Sequence, residues 1–494
     1  MANKIIHLWD NSWHVSEPTE GLKDSFGREA RDLKYSNSTT RINSEHLRIL
    51  SSSTIGELMA DEKSEVLVWP NSFNEGYEDL KDQYIFRITE KDGKAIDSVT
   101  TGNVVGFIGV GSGRSKVDIH IHSRFASDKR NGKDEDNDFF LYHMLEKVMA
   151  INTFSLSSSG RKPEVFDFLL FFFPKLLKEA LSQGLYKKYV YHEYNDANIR
   201  GVIDVNRHIR LNIPANGKIA YRTREFSYDN PVTQLIRHTI EFIRRKQFGK
   251  AVLHNDPDTE GCVQQIIQAT PSFQPRQCQA VINENLRPVV HPYYTKYAAL
   301  QNLCLRILRH EKLSFGEDNK NRIHGLLIDA AWLWEEYVAK VLAERGSGLK
   351  HYTNHKRDFN LFEKEETGKK FQQVIPDYYD EGNKIVADAK YIPLHLSDHL
   401  DADRASAVYY KTIMYMYRFN TEKGFLFHPV PEKDLSFFPK NSKYSIIDTN
   451  GTFHKIGLVV PEIEEDDDYA KFKNEKMKVR ETDFVNDIND CCKP

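Results

Sequence analysis

The stretch VIPDYYDEGNKIVADAKY, residues 374–391, gathers the side chains best suited to chemistry. Asp377 and Asp388 bring carboxylates and Lys390 an ammonium, framed by the apolar Val374, Ile375, Ile385 and Val386. Read as a hairpin, it puts Asp377 on a first strand, a turn over residues 380–383, and Asp388 with Lys390 on a second. Strand side chains change face at each residue, so Asp388 and Lys390 share one face while Ile385, Ala387 and Ala389 take the other. Carboxylate and carbonyl oxygens suit Mg2+, with Mn2+ the alternative ion. Asp377, Asp388 and the main-chain carbonyl of Ala389 are therefore candidate metal ligands. A metal so held acidifies a bound water and neutralises charge on a phosphodiester, while Lys390 orients the water or stabilises the transition state. That is hydrolytic chemistry on a phosphate backbone. The competing reading is a surface hairpin whose charges alternate by chance.

The order P-D followed by D-A-K resembles the PD-(D/E)xK nuclease motif, with Asp377, Asp388 and Lys390 in its three positions. Upstream, LLIDAAWLWEEYVAKVL (residues 326–342) reads as a helix with Leu327, Ala331, Trp334 and Val338 along one face and Glu335 beside it. The first core helix of this nuclease fold often contributes an acidic residue, which makes Glu335 the fourth candidate and leaves Glu336 facing solvent. Downstream, residues 395–419 read as a loop and a helix, and GFLFHPV as a strand. Hairpin, helix and strand together are the α/β/α core the motif implies. Asp380 and Glu381 read as turn residues, not ligands.

At 494 residues the chain is long enough for about two to four domains of ~150 residues. With 28% charged and 40% hydrophobic residues it has an ordinary globular composition. A formal net charge of −3 gives no global signal for nucleic acid, so positive charge must be local or borrowed. Candidate clusters lie at residues 114–116, 187–188, 207–210 and 244–246. The five cysteines show no metal-ligand spacing and read as reduced thiols of a cytoplasmic protein. No signal peptide is evident, and the most apolar run, residues 165–173, is far short of the ~20 residues that span a membrane.

The overall expectation is a multidomain α+β protein: a β-rich N-terminal domain (1–126), a mainly helical middle domain (139–320), an α/β/α nuclease core (321–460) and an acidic, flexible tail (461–494). Short alternating segments separated by glycines and polar turns mark the first domain. Within it, GVGSGRSK (residues 109–116) lacks the glycine before Lys and the helix that a phosphate-binding loop needs, and reads as a hairpin turn. His120 and His122 share a strand face and suit a metal, but no third ligand is placed by the sequence, so they read as structural or surface residues. Residues 127–138 form a charged divider. Helical spacing follows at 139–151 and 164–186 across the polar segment 155–162, and again at 261–269 and 294–308. An amphipathic helix begins near Pro231.

The middle of the chain carries a more specific likeness. NIRGVIDVNRHI (198–209) followed by EFSYDNPVTQLI (225–236) resembles the central region of the McrC family, the nuclease subunit of McrBC-type modification-dependent restriction systems. The segment DAAWLWE, with Trp334 where the family usually has Phe, is similar to the helix ahead of that family's catalytic hairpin. The likeness spans residues 198–430. GFIGVGSGRSKVDIHIHSRF and FFLYHMLEKV look like the LlaJI-type branch. The family often has Gln four residues before Tyr on the helix after the hairpin; this chain has Lys411 before Tyr415, suited to contacting phosphate directly.

What the resemblance implies is a Mg2+-dependent DNA endonuclease subunit of an anti-phage restriction complex, with Asp377, Asp388 and Glu335 as metal ligands. Its implied partners are double-stranded DNA and a McrB-like AAA+ GTPase hexamer, engaged and stimulated by the N-terminal region. One such site cuts one strand, so a double-strand break calls for a second copy of the chain. Two competing readings remain at this stage: a non-catalytic stimulator of the motor, and a repair nuclease tied to a helicase.

Overall fold

The computed structural model describes residues 4–16, 22, 29–33, 45–61, 64–70, 80–91, 95–110, 117–126, 138–149, 167–246, 249–254, 256–313, 323–352, 359–395, 402–464 and 467–492. The glycine-rich loop 111–116 with its basic cluster, most of the charged divider (127–137) and the polar segment 155–162 lie outside the described residues. The chain forms a mixed α/β structure of two compact units, residues 1–165 with 317–494, and residues 166–316.

In the first unit, a five-stranded sheet has the order Lys4–Trp9, Val117–His122, Val104–Val110, Ile323–Asp329, Ser64–Trp69. Strands Val104–Val110 and Val117–His122 pair antiparallel, as a hairpin does, while the edge strand Lys4–Trp9 pairs in parallel with Val117–His122. Alternate residues of these strands, including Ile6, Leu8, Ile119 and Ile121, join a core with helices Glu45–Ser51 and Ile55–Ala60 and strands Phe86–Lys91 and Ala95–Thr101. Gly106, at φ 129°, lies where a Cβ would overlap the Leu326 carbonyl oxygen, so the close approach of the central strands requires glycine.

A six-stranded sheet positions the candidate site. Its order is Lys350–His351, Tyr378–Asp380, Ile385–Ala389, Lys423–Pro431, Thr452–Val460, Asn441–Ser445. The three strands from Ile385–Ala389 to Thr452–Val460 run parallel, and all five residues of Ile385–Ala389 are buried. Strands buried on both faces lie between helices. Val386 packs with Tyr415 and Met416 of helix Ala402–Phe419 on one side. On the other, Phe427 meets Tyr378 and Phe484 of helix Lys478–Cys492. The surface-hairpin reading fails on this burial.

Three expectations are corrected here. Residues 326–342 are not one helix: Ile323–Asp329 is a strand of the first sheet, and the helix runs Ala330–Glu344. Leu326, Leu327 and Ile328 are buried between strands on both sides, and Asp329 caps the helix by accepting from the N–H groups of Ala331 (2.9 Å) and Trp332 (3.1 Å). The acidic segment near the C-terminal end is not a loose tail. Helix Lys478–Cys492 buries Phe484, Val485 and Ile488, and its Glu481 is clamped by His143 (2.8 Å), Lys147 (2.9 Å), Arg345 (2.9 Å) and the Tyr337 hydroxyl (2.8 Å). Helix Phe139–Met149, expected in a middle domain, belongs to this unit through the same clamp.

The second unit is not purely helical. Strands Val202–Ile203, Ile219–Ser227 and Lys188–Asp196 form an antiparallel sheet, with helices Asp167–Leu181, Pro231–Arg244, Pro257–Ala269 and Tyr297–Leu313 around a core that includes Leu235, Ile240, Val263 and Leu303. Asn230 caps helix Pro231–Arg244 in a capping box with Thr233. Basic residues read as clusters are partly engaged within the unit: Arg207 donates to the Tyr194 carbonyl (3.1 Å), and Lys187 lies 4.2 Å from the Tyr228 ring. Among the described residues, no helix is long and apolar enough to cross a membrane.

Candidate active site

The site forms at the end of strand Ile385–Ala389, where the chain leaves the sheet. Tyr378 pairs with Ala387, so Asp377, one residue earlier, arrives beside Asp388. The Ala389 N–H donates to Asp377 Oδ2 at 2.8 Å and fixes that carboxyl. Lys390 is held by its main chain, whose N–H donates to the Phe427 carbonyl (2.8 Å), and its ammonium pairs with Asp388. The same ammonium lies 3.4 Å from the Ala389 carbonyl oxygen. From helix Ala402–Phe419, Lys411 reaches to 3.9 Å from Asp388 Oδ1.

Glu335 comes from helix Ala330–Glu344, anchored by the buried Trp334, Tyr337 and Val338. The Trp334 indole N–H donates to the Phe427 carbonyl at 3.4 Å, the acceptor that also holds Lys390. The Tyr378 hydroxyl donates to the Glu335 carbonyl (2.5 Å), and the His351 imidazole lies 3.0 Å from Glu335 Oε1. Two helices and two strands thus converge on one point.

The electrostatics follow from three carboxyls and the Lys390 ammonium in one enclosed corner, with the partly exposed Lys411 ammonium reaching toward it. Burial, then Asp388 and Glu335, push the Asp377 carboxyl well above its ordinary range. Burial, then Asp388 and Glu336, push Glu335 up to about 8. Burial acts on Asp388 in the same direction, but the ammoniums of Lys390 and Lys411 outweigh it and hold that carboxyl below its usual range. Burial would lower Lys390; Asp388 and Asp377 outweigh it and keep the ammonium charged. Burial and mutual repulsion thus favour the protonated forms of Asp377 and Glu335, while the two ammoniums favour the ionised form of Asp388.

The residues fit a divalent metal. Asp388 is 0% exposed, and neither of its oxygens accepts a hydrogen bond of regular geometry. Lys390 meets part of that charge, but three carboxyls in one enclosed corner repel one another, which a divalent cation would relieve. The donors are all oxygens, from Asp377, Asp388, Glu335 and the Ala389 carbonyl, which selects Mg2+ or Mn2+ over softer ions.

All the residues singled out in sequence, Asp377, Asp388, Lys390, Glu335 and Ala389, come together. Asp380 stays apart as a turn residue, accepting from the main chain (3.0 Å) and side chain (2.7 Å) of Asn383. Sequence reasoning missed His351, and it missed Arg124, whose guanidinium lies 4.3 Å from the ring of Tyr391, next to Lys390. Neither stands in a motif. The pairing of His351 with Tyr378 and the reach of Arg124 from after strand Val117–His122 are set by the fold alone.

Among solved structures, the chain is similar to a chain from an assembly of Thermococcus gammatolerans McrB AAA+ hexamers with bound McrC, at 12% identity and TM-score 0.46, covering 98% of this chain and 100% of that one. It is also similar to a chain of the Thermococcus gammatolerans McrBC complex, at 13% identity and TM-score 0.31, covering 69% of this chain and 88% of that one. No curated protein matches. The family model described as "McrBC 5-methylcytosine restriction system component" matches residues 99–429, well over half of the chain. This chain therefore belongs to the McrBC restriction-system component family.

Proposed function

We propose that this chain is the Mg2+-dependent DNA endonuclease subunit of its restriction system, with a PD-(D/E)xK centre built from Asp377, Asp388, Glu335 and Lys390. The observation that carries the reading is Asp388: fully buried, ionised, without a regular hydrogen bond, and faced by two more carboxyls and two ammoniums. An enclosed site of this kind is arranged for a charged reactant, not for stability.

Asp377, Asp388, Glu335 and the Ala389 carbonyl would hold the metal, which supplies Lewis-acid stabilisation of the phosphodiester and a more acidic water. Asp388 fixes Lys390 through their ion pair, and Lys390 in turn donates to the attacking water or a non-bridging phosphate oxygen. Lys411, with its side chain 45% exposed, offers a second positive charge to the DNA backbone. The Trp334 and Tyr378 hydrogen bonds keep the Glu335 helix in register with the strand, so the ligands are positioned before DNA arrives.

Membership in a multi-component restriction family supports a partner, and we assign it as an AAA+ GTPase hexamer that this chain stimulates, through its N-terminal β-rich region. The nuclease core extends from helix Ala330–Glu344 to helix Lys478–Cys492, and two copies act on the two DNA strands. The test is cleavage of methylated and unmethylated plasmid by the cytoplasmic complex with Mg2+ and GTP, with and without the motor, beside Asp388→Ala. Motor- and GTP-dependent cutting that Asp388→Ala abolishes is the expected result. Stimulated GTP hydrolysis with no cutting by the wild type would replace it with the stimulator reading.

A further inference from the structure

The first sheet supplies what the sequence could not, a third imidazole beside His120 and His122. Strand Lys4–Trp9 lies parallel to Val117–His122 with His7 directly opposite His120, and His122 follows two residues on along the same face. His7 Nδ1 and His122 Nε2 are 2.9 Å apart, and one ring nitrogen from each of the three lies within 4.8 Å of the others. The His7 and His122 rings stack at 5.2 Å, and His120 meets His7 edge-on at 5.6 Å.

We propose that His7, His120 and His122 form a transition-metal site that takes Zn2+, unrelated to the carboxylate centre. The geometry suits it: tetrahedral ligation at metal–nitrogen distances of ~2.0–2.1 Å sets the donor atoms roughly 3.3 Å apart, within reach of small side-chain adjustments. The backbone is already fixed, because the intervening Ile6, Leu8, Ile119 and Ile121 are buried on the other face. Three imidazoles select zinc and its late first-row neighbours, not Mg2+. All three rings are half-buried, which leaves water access and an open fourth position. Bound there, the ion ties the edge strand to its neighbour and stabilises the folded sheet by mass action.

The test uses the full chain stripped of metal with a chelator and dialysed, then titrated with ZnCl2 in the presence of excess Mg2+. The expected result is one equivalent bound through histidine, with a rise in thermal midpoint. His7→Gln and His120→Ala should each weaken that uptake by more than about 100-fold, beyond the roughly 10–100-fold that losing an outer-shell partner costs, while Asp388→Asn leaves it intact. Co2+ added to the wild type provides a readout independent of the folding of any variant. Intense visible d–d absorption, with bound Co2+ shifting the histidine proton resonances, would support the site. Zinc uptake unchanged in the histidine variants, or Co2+ that gives neither signal, would overturn it.

Discussion

The carboxylate centre and the imidazole cluster both sit on strands of the first unit, yet they stand differently without a metal. Around Asp388, three enclosed carboxyls crowd together against the ammoniums of Lys390 and the partly exposed Lys411, an arrangement that a divalent cation would relieve. Around His7, half-buried rings need no charge compensation and satisfy one another, as the 2.9 Å His7–His122 contact shows. The difference teaches that strain toward a ligand comes from desolvated charge, not from the nearness of donor atoms. A site of the first kind would gain most from an ion; one of the second would tolerate its absence.

The sharpest way to break this contrast is through Lys390. Lys390→Ala should slow single-turnover plasmid cleavage by about 100- to 1000-fold, the usual effect of removing one preorganised donor to a developing charge. Unchanged cutting would remove the carboxylate centre from the chemistry. Next in size is Glu481, which braces the Glu335 helix through Tyr337 and Arg345. Glu481→Gln should cost about 2–3 kcal/mol in denaturant unfolding, below the ~3–5 of a fully enclosed pair because Lys147 and Arg345 reach solvent. Burial would raise the Glu481 carboxyl, but His143 and Lys147 outweigh it and hold it well below the usual range. Its stabilisation is therefore complete above about pH 4.5 and is lost as pH falls below that. Acid titration of the variant should show a shallower decline than the wild type.

A third measurement separates the two metal environments by proton release. Because Glu335 is pushed up to about 8, Mg2+ must displace its proton, so this residue's share of the affinity should climb by up to about tenfold per pH unit and level off above that value, in addition to any share from the raised Asp377 carboxyl. Calorimetry in buffers of different ionisation enthalpy reads the released proton, and Glu335→Gln should flatten the slope. A slope unaltered by that substitution would take Glu335 out of the ligand set. The smallest effect belongs to Lys411→Ala. At 3.9 Å from Asp388 and partly exposed, its loss should reduce cleavage only by about threefold to tenfold, with a weaker salt dependence of DNA binding.

The same contrast explains what could be read in the chain beforehand. Asp377, Asp388 and Lys390 stand on one hairpin, so strand pairing and alternation bring them together, while Glu335 was legible only through the resemblance, whose first core helix often carries an acidic residue. His7 and His122 are 115 residues apart and meet only through a parallel pairing, for which short-range periodicity carries no signal. Leu326, Leu327 and Ile328 form a short apolar run that suits a helix or a doubly buried strand equally well, and tertiary pairing decided for the strand. In the C-terminal helix, the acidic composition hid Phe484, Val485 and Ile488 on one buried face, so composition misled where helical spacing would not have.

The Glu481 clamp has a consequence in time. Its bonds to Tyr337 and His143 close sequence separations of 144 and 338 residues, so the helix that carries Glu335 cannot be braced until a much later segment of the chain has been synthesised and docked. Contacts of that separation form late and slowly in folding. A nascent chain would thus complete its hairpin long before the helix that carries Glu335 is braced, so the proposed cutting would wait until folding is nearly finished.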